Sequence, residues 1–256
     1  MSRINQSQCG FTLVEMAVVL LIVALLVGSG LSVVSAQVEQ QKYKDTQRIL
    51  DDAREALLGF AAANGRLPCP ATAASNGIEA PAGGSTAVTP CTSPYGGFLP
   101  GVTLGMTGLD GNGYVLDAWG GQTNRIRYAV TTAITPGANA NAATSPNGIR
   151  TATILTYAPA PNLRVCTTST GILATACGAA AALTTSAVAV IFSLGPNGPR
   201  GVAGGADETA NQNADQVFVW HTPVAVGGTN GEFDDLMTWI SAPLLFNRML
   251  QANSLP

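Results

Sequence analysis

Glu15 is the residue whose position asks most of its surroundings. It interrupts an apolar run that opens at Phe11, and Met16 to Val38 carries no formal charge. A carboxylate at mid-bilayer costs roughly 2.5–3.5 kcal/mol, and carboxylates in such segments usually have partners. One reading leaves Glu15 hydrated at a membrane interface. The other gives it an amine: cleavage after Gly10 would create an α-amino group on Phe11. An adjacent copy of the chain, shifted along its axis, would bring that amine to the carboxylate.

Other chemistry-bearing residues are scattered. His221 is the single histidine, and no GxSxG accompanies it, so a Ser/His/Asp arrangement lacks its usual frame. Asp207-Glu208 and Asp234-Asp235 are adjacent carboxylates without the spacing of a hydrolase pair. Asp110-Gly111-Asn112-Gly113 resembles a fragment of a calcium loop but lacks the bidentate glutamate, and turn chemistry explains it better. The cluster 195–199 is a turn, since no Lys-Ser/Thr follows it as in a phosphate loop. No catalytic residue, metal site or cofactor is expected.

The order of segments at the N-terminus is informative. A secretory signal places its small-residue cleavage site behind the apolar stretch, and a lipidated cysteine also lies behind one. Here Cys9 and Gly10 precede it. Gly10-Phe11-Thr12-Leu13-Val14-Glu15 followed by an apolar run resembles the class III leader of type IV pilins and pseudopilins. The resemblance implies cleavage between Gly10 and Phe11 by prepilin peptidase and N-methylation of Phe11 by the same enzyme. It also implies that Glu15, the fifth mature residue, acts in subunit assembly. One departure concerns the proline that many major pilins carry near the twenty-second mature position: Ser32 stands there, with Gly28, Ser29 and Gly30 nearby. Its absence weighs against a major, fibre-forming subunit.

If the leader is removed, Cys9 leaves with it, and Cys69, Cys91, Cys166 and Cys177 remain. An even count in an exported domain suggests disulfides over zinc, there being no CxxC pair and one histidine. Three pairings are open, and sequence order favours Cys69–Cys91 with Cys166–Cys177. In the chain-entropy model each bridge would add about 3 kcal/mol.

The elements that must position these residues follow from patterning. The apolar run is long enough to cross a bilayer core of about 30 Å as a helix. Beyond it, Val38, Ile49, Leu50, Ala53, Leu57 and Phe60 recur at helical steps. Glu39–Lys42, Asp45–Arg48 and Asp51–Arg54 sit three apart. No proline interrupts residues 11–67, and Asn64-Gly65 is a stop signal, so one helix of about fifty residues is predicted. Residues 68–97 and 135–148 read as loops. Residues 125–130, 151–157, 187–194 and 216–220 read as strands of an antiparallel sheet, and Ser241 would cap a short helix through Leu250 with Pro243 in its first turn. The fold class is α+β and pilin-like: a long N-terminal helix, membrane-spanning in its first half, packed on an antiparallel head with disulfide-tethered loops. The expected organisation is a leader at 1–10, the helix at 11–63 and a periplasmic or extracellular head at 64–256.

Of the 256 residues 46% are hydrophobic and only 11% charged, against about 25% charged in average proteins. Uniform disorder is thereby excluded. Twelve dispersed basic residues and a net charge of −3 argue against nucleic-acid binding. Trp119, Trp220 and Trp239 are expected in the core rather than as ligand platforms. The function expected is that of a filament subunit, a minor pilin before a type II secretion pseudopilin, or an adhesin-like head on a pilus. Its partners would be prepilin peptidase, other pilin or pseudopilin subunits and the inner-membrane assembly platform. The chain would start in the inner membrane and move to a pilus or a periplasmic pseudopilus.

Overall fold

The computed structural model describes residues 10–132, 141–151, 161–198 and 204–255, without the side chains of 26–35. Leader residues 1–9, nearly all of the strand expected at 151–157 and the first part of the loop at 135–148 lie outside these. Helix α1 runs Leu13–Asn64, 52 residues. It stops where expected: Gly65 takes φ +66°, which costs glycine little, and donates its N–H to Ala61 O at 2.8 Å. Two compact units divide the chain within α1, Met1–Lys44 and Asp45–Pro256.

In the first unit the apolar side chains are uncovered. Phe11 is 83% and Leu13 89% exposed, and residues 14–25 are exposed throughout. Among the described residues no helix is long and apolar enough to cross a membrane. The membrane-spanning first half expected from the sequence is therefore not matched there. Described side chains of that run end at Leu25, short of the roughly 20 apolar residues a span needs.

In the second unit the rest of α1 becomes core. Leu50, Ala53, Leu57 and Ala61, at three- and four-residue steps, are fully buried among Leu67, Tyr128, Val130, Ile191 and Ile240. Ile49 and Phe60 are only half-buried at the edge of that stripe, and Val38 is exposed. The solvent side carries Asp45–Arg48 and Asp51–Arg54, each at 3.8 Å. The helix end is sewn to distant chain. Arg150 Nη2 donates to Ala62 O at 3.3 Å and Ala63 O at 2.8 Å, and Ser254 Oγ donates to Ala62 O at 2.6 Å. These contacts satisfy carbonyls that a helix C-terminus otherwise leaves without donors.

The sheet has β1 (Gly97–Phe98), β2 (Arg127–Val130), β3 (Leu163–Cys166), β4 (Ala182–Ser193), β5 (Val217–Val219) and β6 (Leu236–Ser241). Twelve-residue β4 is its spine, pairing β3 along its first half, β2 along its second, and β6 over Ala187–Ser193. The sheet is mixed, not antiparallel as expected, because β5 runs parallel to β3. The chain between those two passes through β4 and helix α2 (Ala206–Gln212), long enough for the crossover that parallel neighbours require. Tyr128 and Val130 face the α1 side while Ala129, between them, faces a second cluster with Val190, Phe192, Phe218 and Met237. Both faces of the sheet centre are covered, so Ala187–Ser193 is buried throughout rather than alternating. Trp220 and Trp239 meet edge-on at 6.0 Å against that second cluster, a packing role. Ser241 stands at the N-cap position of α3 (Ala242–Gln251) but makes no side-chain cap hydrogen bond; the helix has Pro243 in its first turn and buries Leu245, Phe246 and Met249.

Leu57 lies in the middle of the buried stripe. Leu57→Ala should cost the full-length protein in detergent about 2–5 kcal/mol, read from urea unfolding followed by tryptophan fluorescence.

Candidate functional site

The helix start is built by the side chains of the N-terminal motif. Thr12 precedes the first helical residue, and its backbone N–H and its hydroxyl both donate to Glu15 Oε2 at 2.9 Å. Glu15 N–H donates back to Thr12 Oγ1 at 3.2 Å. This reciprocal pair is a capping box, which satisfies amide donors that a helix N-terminus leaves orphaned. Its Thr-x-x-Glu signature stands in the sequence, where Glu15 drew notice as a lone carboxylate and as the fifth mature residue. Both Thr12 donors fall on Oε2, so Oε1 is not engaged by the cap. Gly10 and Phe11 precede the helix in exposed chain, and among the described residues nothing lies within 4 Å of where a Gly10 Cβ would stand. A peptide bond so placed is open to a peptidase, and cleavage there would leave the cap intact.

Cys69 is bonded to Cys91 and Cys166 to Cys177. The first bridge belongs to a larger lock at the end of α1. Arg66 forms a two-pronged, buried ion pair with Glu79, both contacts at 2.7 Å, and Glu79 Oε2 also accepts the Cys69 N–H at 3.0 Å. Arg66 lies 5.0 Å over the Phe60 ring. The loop carrying Glu79 therefore holds the fold as well as offering surface.

The remaining candidates sort by partner. Asp110 Oδ1 accepts the N–H groups of Asn112 and Tyr114, and Arg125 donates twice to Oδ2. Burial acts to raise its pKa, but Tyr114, Arg125 and Asn112 outweigh it and hold the carboxylate below its usual range. This is turn chemistry. Buried Asp117 is the reverse: burial raises its pKa above the usual value despite donors from Ser193 and Asn124.

His221 places Nδ1 2.7 Å from Thr222 O and Nε2 3.1 Å from Asp207 Oδ2, with its ring stacked on Phe233 at 4.0 Å. Both ring nitrogens lie against oxygen acceptors, so the ring ties this corner together. Asp207 also accepts from Ser169 N–H and Asn230. Burial pushes its pKa up, but Ser169, Asn230 and His221 prevail and lower it.

Sequence reading missed one assembly. Glu208 from α2 meets Asp234 and Asp235 just before β6, all three buried, each offering an oxygen within 4.8 Å of the others. Burial, then the charges of Glu208 and Asp234, push Asp235 well above the carboxylate range. Residues this far apart in the chain leave no spacing signal; only the two acidic doublets were visible.

With the geometry in hand, residues 5–31 match the prokaryotic N-terminal methylation motif family. That motif is the class III leader of type IV pilins and pseudopilins, and it supports a type IV pilin or pseudopilin-like protein. A leader of this kind is recognised by prepilin peptidase and implies membrane anchoring, then assembly with other pilin subunits in a surface or periplasmic filament. No curated protein and no solved structure matches the chain.

Because the folded pKa of Asp207 lies below the unfolded value of about 3.9, its ionised form stabilises the fold above that value. The contribution is lost as pH falls through the folded pKa. Asp207→Asn should therefore lower the melting temperature at pH 7 and shrink the gap from wild type below pH 3, measured by thermal melts across pH.

Proposed function

We propose that the chain is a structural subunit of a type IV filament system, a minor pilin, cleaved after Gly10 and N-methylated at Phe11 by prepilin peptidase. The observation that carries this reading is the methylation motif over 5–31, with Gly10 and Phe11 in exposed chain immediately before a capped helix. The uncovered apolar side chains from Phe11 to Leu25 need a cover, because a continuous exposed apolar surface of that kind marks a membrane or protein contact. Lipid of the inner membrane covers them before assembly, in a single pass with the head in the periplasm. Neighbouring helices cover them afterwards. The assembly platform and other subunits are then the partners, and Ser32 in place of proline favours a minor over a major position.

Glu15 has two roles in this reading. It closes the cap of its own helix through Oε2, and its negative charge receives the Phe11 amine of an adjacent subunit. The two roles are separable, since Thr12→Ala removes the hydroxyl half of the cap, both the donor to Oε2 and the acceptor of the Glu15 N–H, and leaves the carboxylate. A type II secretion pseudopilin is the second reading, supported by the same leader.

Gly10→Ala should abolish cleavage, seen as an intact Met1 N-terminus by mass spectrometry; normal processing would sink the leader assignment. Glu15→Ala should be cleaved yet fall at least tenfold in the sheared filament fraction, while Thr12→Ala stays within about twofold of wild type. Equal losses for the two would reduce Glu15 to a helix cap. Wild-type N-methyl-Phe11 peptide found in membranes but not in sheared material would move the chain to a periplasmic pseudopilus.

A further inference from the structure

We propose that Glu208, Asp234 and Asp235 form a calcium site that fastens α2 to the start of β6. Glu208 is 0%, Asp234 6% and Asp235 3% exposed. Neutral donors account for part of the charge. Glu208 Oε2 accepts from Asn197 Nδ2 at 2.8 Å and from Gly204 N–H. Its Oε1 accepts the Asp234 N–H at 2.7 Å, and Asp235 Oδ2 accepts Asn211 Nδ2 at 2.7 Å. Asp235 Oδ1 is fully enclosed and has no hydrogen-bond donor among the described residues. Among the described residues Arg127 is a cation whose charge acts on Asp235, and it is also drawn over the Phe98 ring at 4.5 Å. Removing an ion from water costs several kcal/mol unless it is compensated. A divalent cation held between the three carboxylates would supply such compensation.

Geometry selects its type. Calcium takes oxygens at 2.3–2.6 Å, so two of its ligands stand no more than about 5 Å apart. The three carboxylates already meet that limit, each with an oxygen within 4.8 Å of the others. They are hard oxygen donors with neither imidazole nor thiolate among them, the set calcium prefers over zinc.

The backbone around the cluster is shaped to let the carboxylates close in. Gly195 has φ +65°, and a Cβ there would come 2.4 Å from both Asp234 O and Asp234 Oδ1. A Cβ on Gly204 would stand 2.9 Å from Glu208 Oε2. Side chains at either position would push into the carboxylates. The loop Asp110–Gly113 is no competitor, since both Asp110 oxygens already have their donors.

The test uses full-length protein in detergent, stripped with EDTA and titrated with CaCl2 by calorimetry and by thermal melting. One calcium per chain should bind with a dissociation constant at or below about 1 mM, within the range of extracellular calcium modules, and raise the melting temperature. Glu208→Gln and Asp235→Asn should weaken binding at least tenfold while remaining folded by circular dichroism, and Asp52→Asn, an exposed carboxylate on α1, should bind as wild type. Wild-type protein that takes up no calcium at 10 mM overturns the proposal, as does binding unchanged in both cluster variants. An Asp235→Asn chain more stable than EDTA-treated wild type, with no calcium response in either, would show a proton-holding carboxyl group instead. None of these readouts depends on filament assembly, so the calcium site and the filament role fail separately.

Discussion

A single helix has to satisfy two environments, and most of the structure answers to that constraint. From Leu13 onward α1 offers apolar side chains that nothing in its own unit covers, whereas from Leu50 to Ala61 it is the fully buried wall of a core. Helix periodicity makes this possible: one backbone continues while the face that needs partners narrows from the whole circumference to a stripe. The sheet follows from the stripe. Tyr128, Val130, Ile191 and Ile240 face it, and the opposite sheet face then needs its own cover, which Phe192, Phe218, Met237 and the Trp220–Trp239 pair provide.

A head so poor in charge invests the few it has in buried contacts. Arg66–Glu79 joins the helix end to the first cystine loop, and Arg125–Asp110 closes a turn. Asp117 collects Asn124 and Ser193, tying the chain before β2 to the end of β4. Removing one partner from such a pair leaves the other stranded, which costs far more than a surface pair is worth. The first cystine loop is thus held by its bridge and a buried ion pair, together with neutral hydrogen bonds such as Ser85 to Thr144.

What could be read from the sequence was what is local. The span of α1, its stop at Asn64-Gly65, and α3 behind Ser241 and Pro243 all have their causes within a few residues. The buried second half of β4 was legible as an apolar β-branched run, but β3, with Arg164 in its middle, and two-residue β1 were not. The parallel β3–β5 pairing joins segments far apart in the chain, with β4 and α2 between them in sequence. At the candidate site the cleavage and methylation residues announce themselves, while the Thr12–Glu15 cap hid in plain view because Glu15 had a more conspicuous reading. Glu208 reaches Asp234 and Asp235 only through the placement of α2, which no periodicity foretold.

The stitching at the end of α1 has a mechanical meaning. Ala62 and Ala63 carbonyls are held by Arg150 and by Ser254, close to the C-terminus, while Arg66 grips Glu79 one turn further on. Tension applied along the helix arrives at a junction where three separate stretches of chain share the load. Bonds loaded side by side must rupture together, whereas bonds loaded in series peel one at a time. The last turn of α1 is in this sense a rivet, and a pull on the helix is shared among three loop segments at once.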